Sequence, residues 1–133
     1  MIKVAVVDDE QKALDILCDF FQKLQAEVCE EITVRAFTSG ETVLAEYDCS
    51  FDLICLDIDM SGKSGMETAR EIRRRDGQVI ILFITNMAQM AIQGYEVRAL
   101  DFIVKPVSYY SFSMKLRGAV NIIKKRKKRN ILL

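Results

Sequence analysis

Five short apolar runs alternate with segments of helical periodicity, and this alternation constrains the fold more than any other feature of the sequence. Runs that are apolar throughout predict strands buried on both faces, and strands that alternate with helices predict a parallel sheet covered on both sides. The predicted strands cover residues 2–7, 32–37, 51–56, 79–84 and 102–104. The sequence therefore predicts one α/β domain built from strand–helix units.

The segments between the strands place apolar residues at the spacing of amphipathic helices. Ser39 is a predicted helix N-cap, and Asp76 with Gly77 ends the helix that follows the third strand. The predicted helices cover residues 13–24, a short stretch ending near 47, residues 66–75, residues 90–95, and a final segment from 109 to about 127.

The chain contains no histidine, which excludes catalytic pairs that need imidazole, zinc bound through histidine and phosphorylation on a histidine of its own. Its four cysteines form no C-x-x-C pair, its first residues lack the features of a signal peptide, and no apolar run approaches the roughly 20 residues that cross a bilayer. We therefore expect a reduced, cytoplasmic protein whose chemistry rests on carboxylates, hydroxyls and lysines.

Four of the five predicted strands are followed by polar residues that suit phosphate chemistry. Asp8 and Asp9 follow the first strand, Asp57 the third, Thr85 the fourth and Lys105 the fifth. Each residue alone is common at a strand end, but the carboxyl ends of parallel strands meet at one edge of the sheet, where such folds bind ligands. Clustered carboxylates repel one another unless a cation neutralises them, so the set indicates a site for Mg²⁺ and a phosphoryl group.

These residues lie in motifs that resemble the receiver domain of two-component response regulators. The motifs are Val6-Val7-Asp8-Asp9-Glu10, Leu56-Asp57-Ile58, Gly65, Ile84-Thr85, Ala99-Leu100-Asp101-Phe102 and Lys105-Pro106. The resemblance covers residues 1–123, and the stretch 94–102 with the final helix resembles receivers of the LytTR-type group. The resemblance implies a flavodoxin-like (βα)5 fold, a doubly wound parallel five-stranded sheet with strand order 2-1-3-4-5.

Carried over position by position, the resemblance makes Asp57 the phosphoacceptor. Asp9 and Asp57 then bind Mg²⁺ directly, Asp8 holds it through water, and the backbone carbonyl of Asp59 completes the protein's ligands. In this interpretation the chain accepts a phosphoryl group and assists its transfer and hydrolysis, but it is not a turnover enzyme.

The resemblance also assigns roles to three residues beyond the acidic set. Lys105 pairs with the acceptor carboxylate and then with the phosphoryl group. Thr85 donates a hydrogen bond to a phosphoryl oxygen, and the ring of Phe102 changes rotamer with Thr85. A cis peptide before Pro106 is implied as well.

Three residues depart from the usual family pattern. Ser61 stands where many receivers have proline, which predicts a less rigid loop after Asp57. Asn86 replaces a small residue and is expected to restrict access to Asp57. Asp59 adds a carboxylate two residues after the acceptor, and it is expected to alter the attack of the phosphodonor or of water.

The partners implied by the resemblance are a sensor histidine kinase, which donates the phosphoryl group, and a second copy of the chain. The phosphoryl group is expected to shift an equilibrium between inactive and active states. The surface of the fourth helix, the fifth strand and the final helix, including Tyr95, Val97 and Arg98, is then the exposed face for a homodimer or another partner.

The chain ends in six consecutive basic residues, 124–129, followed by an apolar segment, 131–133, that is typical of the start of a strand. Residues 1–123 hold 13 basic and 19 acidic residues, so an acidic domain precedes a basic tail. Residues 124–133 are interpreted either as the solvated end of a helix or as the start of a linker to an absent output domain of the LytTR type. Specific DNA binding is expected only through that domain.

Two other functions compete with the receiver. Asp57-Ile58-Asp59 also resembles the D-x-D motif of haloacid-dehalogenase-type phosphatases, in which the first aspartate is a nucleophile and the second an acid. The acidic pair on the first strand and the lack of a cap domain disfavour that phosphatase. A nucleotide-binding doubly wound domain is disfavoured because no glycine-rich phosphate loop follows the first strand.

Overall fold

A computed structural model describes residues 1–132, and at residues 88, 91 and 130–132 it describes the backbone alone. The strands of this range are β1 (Ile2–Val7), β2 (Ile32–Phe37), β3 (Leu53–Leu56), β4 (Ile80–Thr85) and β5 (Asp101–Val104). The helices are α1 (Gln11–Val28), α2 (Gly40–Glu46), α3 (Gly65–Arg75), a 3₁₀ helix (Ala88–Val97) and α4 (Tyr109–Leu132). Among the described residues, no helix combines the length and the apolar character needed to cross a membrane.

The strand order in the sheet is β2-β1-β3-β4-β5, and every neighbouring pair is parallel. This confirms the predicted flavodoxin-like order. The chain passes from β1 to β2 on one side and then returns past β1 to β3 on the other. A crevice therefore opens beyond the carboxyl ends of β1 and β3, where the strand order reverses.

The sheet has a hydrophobic core on each face. α1 and α4 cover one face, where Phe21, Phe112 and Leu116 are fully buried. α2, α3 and the 3₁₀ helix cover the other, where Ile72 lies among side chains from the same strands. β1, β3 and β4 supply residues to both cores, because successive side chains of a strand point to opposite faces. This is why these three strands are apolar at almost every position, with Lys3 and Thr85 as the exceptions.

Three strands differ slightly from the prediction, and one of them, β5, begins at Asp101, one residue earlier than predicted. β3 begins at Leu53 rather than at residue 51, and β4 runs from Ile80 to Thr85, one residue later than predicted. Parallel pairing sets both limits, because Leu53 lies opposite Ile80 and Thr85 lies opposite Val104. Thr85 is therefore the last residue of β4.

The helix predicted over residues 90–95 is a longer 3₁₀ helix, Ala88–Val97. Gly94 packs closely on the next strand, since a Cβ atom added there would lie 2.8 Å from Cε2 of Phe102. Hydrogen bonds in a 3₁₀ helix are poorly aligned, and runs this long are uncommon. The element therefore depends on packing more than on its own hydrogen bonds.

Val97 is buried, so the prediction that it belongs to an exposed face is wrong. Val97 ends the 3₁₀ helix and lies in the same core as Ile72, and the guanidinium of Arg73 in α3 donates to its carbonyl oxygen at 2.8 Å. Arg98 follows with a left-handed φ of 53°, which turns the chain back to the surface. Tyr95 and Arg98 are exposed, as predicted.

α4 continues without a break to Leu132, so the basic run belongs to the last turns of this helix. The apolar segment predicted as the start of a strand is helical through Leu132, and Leu133 lies outside the described residues. Lysine, arginine and leucine favour helix, and cations complement the partial charge of a helix C-terminus. The run contacts the domain through three pairs, Lys124 with Glu30 at 3.5 Å, Arg126 with the carbonyl of Gln78 at 2.7 Å and Lys127 with Asp52 at 3.4 Å.

Two helical glycines differ in how closely other atoms pack against them, and they provide a matched test of the fold. Gly65 begins α3 directly after the Ser64 cap, and an added Cβ atom would lie 1.9 Å from the carbonyl oxygen of Asp57. Gly118 lies within α4, and an added Cβ atom would meet no described atom within 4 Å.

We expect Gly65→Ala to lower the free energy of unfolding by about 1–3 kcal/mol or more, because rigid backbone has to move. Gly118→Ala should raise it by about 0.5–1 kcal/mol, because alanine favours helix. Urea unfolding followed by circular dichroism measures both. Equal stabilities of the two variants would contradict the close approach of Gly65 to Asp57.

Candidate functional site

The carboxyl ends of β1 and β3 bring three aspartates together. Asp8 and Asp57 each follow a strand directly and are buried, whereas Asp9 is exposed. The backbone N–H of Asp57 donates to the carbonyl of Val7 at 3.0 Å, which extends the strand pairing and sets the two strand ends side by side. One carboxylate oxygen from each aspartate lies within 4.8 Å of the others, close enough to share a metal ion.

Lys105 supplies the positive charge of this acidic cluster, defined as Asp8, Asp9 and Asp57. Its Nζ donates to Oδ2 of Asp8 at 2.7 Å and to Oδ2 of Asp57 at 3.0 Å. The lysine side chain is only 14% exposed, so these are buried ion pairs rather than surface contacts. The peptide between Lys105 and Pro106 is cis, as predicted.

Burial shapes the electrostatics of the cluster. Desolvation raises the pKa of Asp8 above its ordinary value, although hydrogen bonds from Lys105 and the backbone of Glu10 act in the opposite direction. Desolvation also opposes the charge on Lys105, but hydrogen bonds to Asp8 and Asp57 outweigh it and raise the pKa of the lysine. One ammonium faces three carboxylates, so the ionised cluster carries a formal charge of −2. A divalent cation would balance this charge.

The two carboxylate oxygens of Asp57, the predicted phosphoacceptor, differ in their hydrogen bonding. Oδ1 of Asp57 is buried and has no hydrogen-bond partner among the described residues. A cleft of about 400 Å³ opens beside it, lined by Asp9, Glu10, Asp57, Asp59, Met60, Ser61 and Asn86. A buried polar atom without a partner costs free energy, so this oxygen is suited to bind a group that enters the cleft. Mg²⁺, which prefers a few carboxylates and keeps several waters, fits this set of donors.

Three other predicted site residues surround the cluster. Asp59 and Asn86 are exposed and line the cleft. Thr85 is fully buried at the end of β4, and its Oγ1 accepts a hydrogen bond from the backbone N–H of Met87 at 3.0 Å. The hydroxyl of Thr85 therefore connects the end of β4, beside the acidic cluster, to Met87, the residue before the 3₁₀ helix.

Phe102 lies away from the cluster, on the fifth strand. Its half-buried ring stacks on Phe83 with centroids 5.1 Å apart and an interplanar angle of 29°. The same ring lies against Gly94 of the 3₁₀ helix. A change of its rotamer would therefore change the packing of that helix.

The structure adds a contact that the sequence analysis missed. Ser61 donates its backbone N–H to Oδ2 of Asp9 at 2.9 Å and its hydroxyl to the same oxygen at 3.2 Å. The two residues are 52 positions apart. No local pattern marks such a pair, although the predicted meeting of the first and third strand ends brings their loops to one place.

Comparison with known proteins places the sequence in a described family. The family pattern described as response regulator receiver domain matches residues 4–117. Sensory transduction protein LytT of Bacillus subtilis (strain 168) is 31% identical over 107 residues, which are 80% of this chain and 43% of that protein. Transcriptional regulatory protein ResD of the same organism is 32% identical over 109 residues, which are 80% of this chain and 42% of that protein. The chain thus spans less than half the length of these relatives.

Solved structures share the fold. The response regulatory domain of protein mrkE from Klebsiella pneumoniae superposes with a TM-score of 0.82 at 24% identity, over 93% of this chain and 99% of that chain. Response regulator protein TrrA from Thermotoga maritima, in complex with Mg²⁺ and BeF, gives a TM-score of 0.74 at 27% identity, over 90% of this chain and 99% of that chain.

Removal of the lysine charge tests the electrostatics of the cluster. We expect Lys105→Met to lower the free energy of unfolding by about 3–5 kcal/mol at neutral pH without metal, because it leaves two buried carboxylates unpaired. The double variant Asp8→Asn with Lys105→Met should cost less than the single lysine variant. Urea unfolding in EDTA measures all three proteins.

Lys115→Met is the matched control. Its ammonium lies 2.8 Å from Asp101, but both side chains are more than a third exposed, so its loss should cost at most about 1 kcal/mol. An equal loss of stability in the two lysine variants would show that the buried Lys105 pairs contribute no more to the free energy of unfolding than an exposed pair does.

Proposed function

The chain belongs to the response regulator receiver family, and from that premise we propose that it accepts a phosphoryl group on Asp57. One observation carries the assignment. Lys105 binds Oδ2 of Asp57, whereas Oδ1 is buried without a hydrogen-bond partner among the described residues, and Asp57 itself lines the cleft. Lys105 therefore holds this carboxylate by one oxygen, and the other oxygen keeps its bonding capacity for a phosphoryl group or a metal ion.

The donor we propose is a phosphohistidine of a sensor histidine kinase. An oxygen of Asp57 forms a bond to phosphorus as the phosphorus–nitrogen bond of the donor breaks, and the donor nitrogen keeps the electron pair. No histidine lies in residues 1–133, so the donor imidazole comes from outside this sequence. Such a transfer needs mainly positioning and neutralisation of charge.

Lys105 contributes to both requirements. Its ammonium holds Asp57 at 3.0 Å before transfer, and Asp8 at 2.7 Å keeps the ammonium at this point when the charge on Asp57 changes. We assign to Lys105 a charge-assisted hydrogen bond to the phosphoryl group after transfer.

The acidic cluster is the proposed Mg²⁺ site. Asp9 and Asp57 would bind the ion directly, Asp8 through water, and Asp59 through its backbone carbonyl. Support comes from the shared spacing of the carboxylates, their net negative charge and the unpaired Oδ1 of Asp57. When bound, the ion stabilises negative charge on the phosphoryl oxygens.

We propose that Thr85 and Phe102 pass the change at Asp57 to the 3₁₀ helix. A phosphoryl oxygen that accepts a hydrogen bond from the Thr85 hydroxyl draws Oγ1 towards Asp57 and away from the backbone N–H of Met87, which now donates to it. The space that Thr85 leaves then favours another position of the Phe102 ring, which now lies against Gly94. The weak internal bonding of the 3₁₀ helix makes it the element that rearranges at least cost.

The surface of the 3₁₀ helix, β5 and α4 is the proposed partner face, including a face for a second copy of the chain. Large exposed apolar side chains in and beside these elements are Ile92, Tyr95, Leu100, Val104, Tyr110 and Met114. Clustered exposed apolar side chains mark interaction surfaces.

The proposed output is control of transcription through a DNA-binding domain of the LytTR type, joined through the basic end of α4. Support comes from the likeness to LytT and ResD, which are more than twice as long as the segment matched here. Specific DNA recognition would then lie outside residues 1–133.

The phosphatase alternative differs in turnover. A D-x-D phosphatase would use Asp57 as nucleophile and Asp59 as acid, whereas membership of the receiver family favours a single stoichiometric acyl phosphate.

Asp57→Ala tests the acceptor assignment. We expect wild-type protein to incorporate one phosphoryl group from a small phosphodonor in a Mg²⁺-dependent reaction, and the alanine variant to incorporate none, because among the described residues only this carboxylate has a buried oxygen without a hydrogen-bond partner. Intact-mass spectrometry measures the increment. Asp59→Asn is the matched control in the same cleft, and it should still be labelled. Labelling of Asp57→Ala, or continuous phosphate release from p-nitrophenyl phosphate, would overturn the assignment.

Thr85→Val tests the switch. We expect this variant to be labelled like wild type but to lose the change in amide exchange over the 3₁₀ helix and β5 that beryllofluoride induces, because it lacks the hydroxyl. Thr68→Val is the control, since Thr68 is equally buried but its hydroxyl donates to Ser64. An unaltered exchange response in Thr85→Val would contradict the role of the hydroxyl.

A further inference from the structure

Hydrogen bonds hold the loop that follows Asp59 at two points. At one end, Ser61 donates its backbone N–H and its hydroxyl to Oδ2 of Asp9, at 2.9 and 3.2 Å. At the other, the backbone N–H of Lys63 donates to the carboxylate of Glu41 at 3.0 Å. Glu41 lies in the first turn of α2. The loop therefore connects α2 to a member of the acidic cluster.

Asp9 is the aspartate of the cluster whose side-chain position is least restricted by burial and by Lys105. Asp8 and Asp57 are buried and share Lys105, whereas Asp9 is exposed and borders two other carboxylates. Repulsion between like charges favours turning the Asp9 carboxylate towards water. Over residues 1–132, the hydrogen bonds that its carboxylate accepts come from Ser61, and they oppose this rotation.

The contact with Glu41 fixes the position of the donor. Gly62, between the two fastened residues, has a φ of 75°, and a Cβ atom added there would lie 2.7 Å from Oε2 of Glu41. Hydrogen bonds from its own backbone N–H and from Lys63 hold the pKa of Glu41 below its usual range, so it remains a charged acceptor. The backbone at Gly62 thus lies against the carboxylate of Glu41.

We propose that Ser61 and Glu41 form an outer brace that positions Asp9 for Mg²⁺. The inference rests on the proposed function, because it takes the acidic cluster as the metal site. Ser61 bonds to one oxygen of Asp9 and leaves the other available to the ion, as outer hydrogen bonds to metal-binding carboxylates do. Ser61 and Glu41 are positioning residues that act through Asp9.

Substitutions at residue 61 remove the donors one at a time. Ser61→Ala keeps the backbone N–H and loses the hydroxyl, whereas Ser61→Pro loses both. We expect the Kd for Mg²⁺ to rise about threefold in the first and about tenfold in the second. These values lie below and at the low end of the 10–100-fold losses known for outer hydrogen bonds, because Asp9 is exposed. Ser61→Thr keeps both donors and should restore the wild-type Kd.

Glu41→Ala tests the far end of the brace. It frees the backbone N–H of Lys63, so the Kd should rise about twofold to threefold, less than after direct loss of the Ser61 donors. Glu46→Ala removes the same charge from the other end of α2, where Glu46 pairs with Arg35. This control should leave the Kd within the error of the wild-type value.

Isothermal titration of Mg²⁺ into the whole chain, with no phosphodonor present, measures each Kd, and thermal unfolding in EDTA reports stability without metal. The brace predicts a graded rise in Kd with unchanged melting in EDTA. A wild-type protein that binds no Mg²⁺, or an Asp9→Asn variant that binds it normally, would overturn the proposed metal site itself. Normal binding by wild type together with an unaltered Kd in Ser61→Pro, or no rescue by Ser61→Thr, would overturn the brace alone.

Discussion

The ammonium of Lys105 is the interaction on which the rest of the site depends. It lies between two buried carboxylates that end neighbouring strands, 2.7 Å from Asp8 and 3.0 Å from Asp57. Without it, both carboxylates would lose their hydration with no compensating charge, and their repulsion would push the strand ends apart. Lys105 follows the last strand, 48 residues beyond Asp57, so the site is complete only when the whole sheet has formed. Fold and site therefore depend on each other.

The sheet divides into a rigid part and an adjustable part. β1, β3 and β4 are buried on both faces, and they hold the acidic cluster against two cores. β5 is an edge strand, and the neighbouring 3₁₀ helix depends on packing against Phe102 and on the hydrogen bond that Arg73 makes to its end. Thr85 belongs to both parts, because it ends a buried strand and accepts a hydrogen bond from Met87. In the proposed function, a change of charge at Asp57 reaches the 3₁₀ helix through this residue.

Prediction from the sequence succeeded where the spacing of apolar residues alone sets the structure. It failed where packing against residues distant in the chain overrides the local pattern. Apolar runs identified all five strands, and the chain order of their polar ends indicated which residues would meet. The sequence analysis places Val97 on the exposed partner face with Tyr95 and Arg98, yet the turn of the 3₁₀ helix directs it into the core. Local periodicity does not register such a turn, since the packing that causes it comes from Ile72 and other residues distant in the chain.

The sequence by itself determined the strand–helix order, the residues at each strand end and the charges available to the site, because these depend on composition and on spacing along the chain. Only the tertiary structure decided which oxygen of Asp57 is paired, which donors hold Asp9 and how far the basic helix continues over the domain. Those features depend on distances of a few ångströms between residues such as Ser61 and Asp9, 52 positions apart. Hydrogen bonds and desolvation act over such distances, so they are fixed only when the chain is folded.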